Sequence, residues 1–198
     1  KVGNLVKDKG AEGKVICALL DRKLAPVYSL KEDSIENLID VSMEGGLPFP
    51  DVILDLGAIF STEEFDQLGR KYLQKALDLR IPKKAVLFFH RKEGERISNR
   101  LAIGQFVKGE FIISLLENSS LEALKAKGLS PNECITFYDE RHTTGTDIPL
   151  PISARAIMTC NEKIKLRSFL QTVMRLRRFC STQSVDFALL KKCHEFVK

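Results

Sequence analysis

The sequence predicts an α/β domain with a parallel sheet flanked by helices, and three observations carry that expectation. Compact apolar runs suited to fully buried strands recur along the chain: "DVILDLGAIF" at 51–60, "KAVLFF" at 84–89, "CITFY" at 134–138 and "ARAIMTC" at 154–160. Amphipathic stretches with helical spacing alternate with them. Capping residues, glycines and prolines stand at the joins. Strands that alternate with helices build parallel sheets.

Taken in order, "KVICALLDR" (14–22) reads as a short strand, and "SLKEDSIENLIDVSM" (29–43) as a helix started by Ser29 or Ser34. The "MEGGLPFP" stretch, 43–50, breaks the chain, so residues 1–48 are an N-terminal extension or a first strand–helix unit. Residues 49–198 form the main lobe. After the 51–60 strand, Ser61 and Glu64 have capping-box spacing. The following helix places Phe65, Leu68, Tyr72, Leu73, Ala76 and Leu77 on one face and stops at Pro82. "HRKEGE" is a turn, and "RISNRLAIGQF" and "EFIISLL" are further short strands. "SSLEALKAKG" is a short helix closed by Gly128. "EKIKLRSFLQTVMRLRRF" (162–179) is a long helix, "QSVDFAL" a last strand and "LKKCHEFVK" a terminal helix.

The totals set bounds on function. A chain of 198 residues fits one domain, and 44% hydrophobic with 29% charged residues is an ordinary soluble composition. No apolar run is long enough to span a bilayer, and the N-terminal segment is polar, so a cytoplasmic location is expected. The chain starts at Lys1 and reads as a monomeric piece of a larger protein. A net charge of +5 permits an anionic partner without requiring one. Five cysteines at 17, 134, 160, 180 and 193 include no C-x-x-C, which reads as buried thiols in a reducing compartment. With only three histidines, a metal centre is not expected.

Chemistry concentrates after the 134–138 strand, at a carboxyl end of the kind where parallel sheets bind ligands. Asp139-Glu140-Arg141-His142 spells D-E-x-H, a metal-holding and water-activating box in ATPase lobes. Such a lobe also needs G-x-x-x-x-G-K-[ST] upstream, and the chain has none. His142 either lines a cleft or pins its own loop by hydrogen bonding a carbonyl. Next comes "TTGTDIP", in which Gly145 permits close backbone approach and Asp147 offers a carboxylate. Further on, "QTVMRLRR" (171–178) sets Arg175 and Arg178 at i, i+3 on one predicted helix face, a receptor for phosphate oxygens. A cysteine hydrolase built from Cys134 or Cys160 with His142 and Asp139 or Asp147 is a rival arrangement.

The order strand, "TTGTDIP", strand, "QxxxRxxR" resembles motifs V and VI of the second RecA-like lobe of superfamily 2 helicases. Gly145, Asp147 and Pro149 match the first motif; Gln171, Arg175 and Arg178 match the second. Thr172 stands where an arginine is usual, and Met174 and Arg177 where glycines are. Over about residues 50–187 the chain is also similar to an uncharacterised helicase-like domain of very large fungal, protist and bacterial proteins, some of which carry a ubiquitin-hydrolase label. The resemblance implies a RecA-like fold that does not hydrolyse ATP alone. ATP and Mg would come through an upstream RecA-like lobe of the same protein. Arg175 and Arg178 would act as arginine-finger-like catalytic residues with Gln171. His142, Thr143, Thr144, Gly145 and Asp147 would line the cleft to nucleotide or nucleic acid. The lost glycines favour a second possibility, a degenerate lobe serving as a protein-interaction scaffold.

Overall fold

A computed structural model describes residues 26–60, 65–90, 100–142, 147–179, 181–190 and 193. It shows an eight-stranded, mostly parallel sheet flanked by helices, a RecA-like or Rossmann-type α/β fold. The strands are β1 (Val27–Ser29), β2 (Val52–Asp55), β3 (Ala85–His90), β4 (Arg100–Val107), β5 (Glu110–Leu115), β6 (Cys134–Asp139), β7 (Arg155–Cys160) and β8 (Ser184–Leu189). Their order across the sheet is β1-β8-β7-β2-β6-β3-β4-β5. The first six in that order are parallel, and β4 and β5 add an antiparallel edge.

The central strands read as unbroken apolar runs because both their faces are buried. Along β2, Val52 and Leu54 enter one core while Ile53 enters the other. Along β3, Ala85, Leu87 and Phe89 alternate in the same way with Val86 and Phe88. Among the described residues four helices cover the sheet: α1 (Ile35–Ser42), α2 (Phe65–Asp78), α3 (Leu121–Ala126) and α4 (Leu166–Val173). Helices α1 and α2 close the Ile53 face with Leu38, Ile39, Leu68 and Tyr72, whereas α3 and α4 close the Val52 face with Leu124 and Val173. Ser34 caps α1 by accepting from Asn37 N–H at 3.2 Å, and Ser120 caps α3 through Ala123 N–H at 3.1 Å. Gly128 closes α3 at a φ of +71°, where a side chain would be strained.

Two expectations need correction. Leu77 lies at the edge of the apolar stripe of α2 and is 40% exposed. The long helix expected over 162–179 is confined to α4. Its start is delayed because the Asn161 side chain accepts from Lys163 N–H at 2.9 Å and holds a turn there. Beyond Val173 the bonds tighten to i→i+3, as in Arg175 N–H to Thr172 O and Leu176 N–H to Val173 O, which carries Leu176 into the core. The predicted 14–22 strand, the Ser61–Glu64 box, most of the 90–95 turn and all of the terminal helix but Leu190 and Cys193 lie outside the described residues. Among the described residues, no helix is long and apolar enough to cross a membrane.

Candidate functional site

Strand β6 ends at Asp139 and β7 begins at Arg155, and both run parallel to β2. The connection must therefore return from the carboxyl end of the sheet to its amino end. It does so over the face that carries α3 and α4. Ile148 is buried there, and its N–H donates to the Tyr138 hydroxyl at 3.1 Å. The turn after α4 runs alongside. The Arg178 carbonyl accepts from the N–H groups of Ser181, Thr182 and Gln183. Gln183 then joins the two segments: its Oε1 accepts from Arg178 N–H and its Nε2 donates to Pro151 O, both at 2.8 Å.

Between these segments and Ser119 lies a pocket of about 320 Å³, lined by Asp147, Arg175, Arg177, Arg178 and Gln183 together with apolar residues. Three guanidiniums face one carboxylate, so the lining carries net positive charge. Arg177 donates to Asp147 from Nη2 at 3.2 Å and from Nε at 3.4 Å. Both partners are more than 60% exposed, so the pair is solvent-screened and exchangeable. Such a lining suits the oxygens of a phosphate or carboxylate, which guanidinium forks match in shape.

A second polar cluster occupies the carboxyl ends of the central strands. Asp55 and Asp139 are register partners on β2 and β6. Asp55 accepts from Ile59 N–H and Thr159 Oγ1 at one oxygen and from Phe60 N–H at the other, at 3.1, 2.7 and 3.1 Å. Burial pushes its carboxyl up to about 6 against these hydrogen bonds, and the Asp139 charge pushes the same way. Asp139 accepts from the N–H groups of Arg141 and His142 at 2.8 and 2.9 Å. The His142 ring meets the Asp139 carboxylate through Nδ1 at 2.7 Å and stacks on Phe89, with centroids 3.9 Å apart. The D-E-x-H spelling is thus a turn in which the carboxylate holds its own loop.

The predicted residues divide between these places. Arg175, Arg178 and Asp147 come together in the pocket. The two arginines lie past the end of α4, and their shared helix face is replaced by a shared turn. Gln171 is on α4 and lines a different groove with Leu166, Arg167, Leu170 and Met174. His142 is buried at the carboxyl end and pins its loop through a carboxylate. Thr143, Thr144 and Gly145 lie outside the described residues. Sequence reasoning missed Arg177 and Gln183 as lining residues, although the basic run "RLRR" contains the first.

Of the two cysteines considered as nucleophiles, Cys134 opens β6 at the end opposite His142. Burial pushes both the Cys134 and Cys160 thiols up to about 12. Neither has the depressed acidity a thiolate nucleophile needs. Among the described residues, no group of three or more His, Cys, Asp or Glu could hold a metal ion.

No protein-family model matches the chain, and no solved structure matches it. Among curated proteins it is similar to kinesin-like protein KIF11-A of Xenopus laevis, at 27% identity over 148 residues, covering 71% of this chain. It is equally similar to kinesin-like protein KIF11 of Xenopus tropicalis, at 27% over 149 residues. The chain spans 13% of the length of each. These matches overturn the helicase resemblance, since the similarity found is to kinesin-like proteins. Motifs of a few spaced residues are easily met by chance, and Thr172, Met174 and Arg177 had already departed from the pattern. The sheet supports a coarser statement: an α/β domain of RecA-like or Rossmann type.

Proposed function

We propose that this domain receives the phosphate oxygens of a nucleotide in the pocket of Arg175, Arg177 and Arg178, with the nucleotide held mainly by a partner domain. The observation that carries the reading is the convergence of three guanidiniums and one carboxylate on a single cavity of about 320 Å³. The 198 residues contain no G-x-x-x-x-G-K-[ST] loop, so ATP and Mg are supplied by the domain that cradles them. A nucleic-acid backbone presents similar oxygens and is the second ligand the pocket chemistry accepts. In this role the arginines neutralise charge on a phosphate while the partner domain supplies any catalytic group.

Calorimetric titration with ATP, pyrophosphate and a short single-stranded oligonucleotide tests the reading. Saturable binding of ATP or pyrophosphate is expected, at least tenfold weaker in Arg175→Ala with Arg178→Ala, since a charge-assisted hydrogen bond contributes about 1.5–3 kcal/mol. Binding confined to the oligonucleotide would assign the pocket to a phosphodiester backbone. Binding of none of the three, by the chain and by the intact protein that contains it, overturns the proposal.

A further inference from the structure

The two faces of the sheet are covered unequally at the β8–β1 end. Beside α4 a groove of about 380 Å³ is left open, lined mainly by Val27, Ile164, Leu166, Phe169, Phe187 and Leu189. Its rim is exposed apolar surface: Leu166 is 66% exposed and Val27 is 54% exposed. On the other flank of α4 a second groove, about 410 Å³, is lined by Leu166, Leu170 and Met174. Those three residues recur at i, i+4 and i+8 and so form one ridge along the helix. An α/β sheet needs helices over both faces, and here no described residue covers a strip of strand surface beside a helix whose apolar ridge is half exposed.

We propose that this strip docks an amphipathic helix of a partner protein whose polar face carries carboxylates. A helix laid parallel or antiparallel to α4 would complete the layer, with its apolar side chains on Phe187, Leu189 and Val27 and against Leu166. Charge selects the acidic polar face. Lys163, Lys165 and Arg167 are exposed around the grooves, against one exposed carboxylate, Glu162. The chain's own outlying segments do not complement that charge: residues 1–25 carry six cations and three carboxylates, and residues 191–198 three cations and one. The surface is separate from the arginine pocket, so this inference stands independently of the nucleotide proposal.

Fluorescence polarisation with two labelled amphipathic peptides of about 18 residues tests it. They share a leucine face and carry glutamates or lysines on the polar face. The glutamate peptide is expected to bind saturably, more weakly as salt is raised, and at least tenfold more weakly to Leu166→Asp. The lysine peptide is expected not to bind. Lys163→Glu with Lys165→Glu is expected to reverse the preference, and circular dichroism checks that these surface variants keep their fold. Absence of binding, equal binding of both peptides or indifference to Leu166→Asp overturns the proposal. So does a dimer of the chain in sedimentation that Leu166→Asp dissociates, since a second copy would then be the occupant.

Discussion

The Asp55–Asp139–His142 cluster and the arginine pocket are both polar, and they spend their hydrogen-bonding capacity in opposite ways. At the carboxyl end, both oxygens of Asp55 and the carboxylate of Asp139 are occupied by N–H and ring groups of nearby loops and by the Thr159 hydroxyl of β7. In the pocket, Arg177 and Asp147 hold each other directly, but both side chains are largely exposed to water. A carboxylate committed to its own turn positions backbone, whereas an exposed guanidinium such as Arg177 on an open cavity can exchange its partner for an incoming anion. Residue type alone does not make that distinction, because D-E-x-H looks the more chemical of the two.

The sharpest way to break the comparison is to remove a carboxylate from the committed cluster. Asp139→Ala removes the acceptor of the Arg141 N–H and of the buried His142 ring, while the His142 N–H keeps the residue-139 carbonyl at 3.1 Å. A loss on the order of 3–5 kcal/mol of folding stability is expected, read by urea denaturation. Arg178→Ala, at an exposed position, should change stability by less than about 0.5 kcal/mol. Equal effects of the two substitutions would erase the distinction between a structural and an available cluster.

A smaller effect follows from the Asp55 carboxyl, which burial raises to about 6. A carboxyl raised in the folded state favours its protonated form there, so the folded protein binds the proton more tightly than the unfolded chain. Stability should therefore rise as pH falls from about 6 toward the ordinary aspartate value near ~4, with the full cost present above 6. Two units correspond to about 3 kcal/mol at most. Burial also raises Asp186, which adds a slope of the same sign. The informative quantity is thus the difference between wild type and Asp55→Asn in denaturation across that window. A slope unchanged by the substitution would show that Asp55 titrates normally.

The contrast also marks what was legible in the sequence. Strands β2, β3, β6 and β7 could be read because burial on both faces leaves uninterrupted apolar runs. The pairing of Asp55 with Asp139 could not, since it depends on the register of strands 84 residues apart in sequence. The end of α4 was hidden for a related reason. Apolar and basic spacing continues smoothly through Phe179, and the break comes from Leu176 entering the core and Gln183 bonding Arg178. For the same reason Arg177, which a single helix face would have turned away from Arg175 and Arg178, joins them in the pocket. The helicase spelling misled because a few spaced residues are easily met by chance, while the wider similarity found is to kinesin-like proteins.

The smallest expected effect is also the most diagnostic for the pocket. Asp147 is a carboxylate already placed among the arginines, bonded to Arg177 at 3.2 Å with both side chains largely exposed. A phosphate entering the pocket competes with it for the guanidinium. Replacing Asp147 by Asn removes the competing charge and keeps the shape. Pyrophosphate affinity should rise about two- to fivefold, and the gain should shrink as salt screens the charges. Stability should move by no more than about 0.5 kcal/mol, because an exposed pair contributes little. An affinity that falls instead would mean that Asp147 orders Arg177 for the ligand, turning the carboxylate from a competitor into part of the receptor.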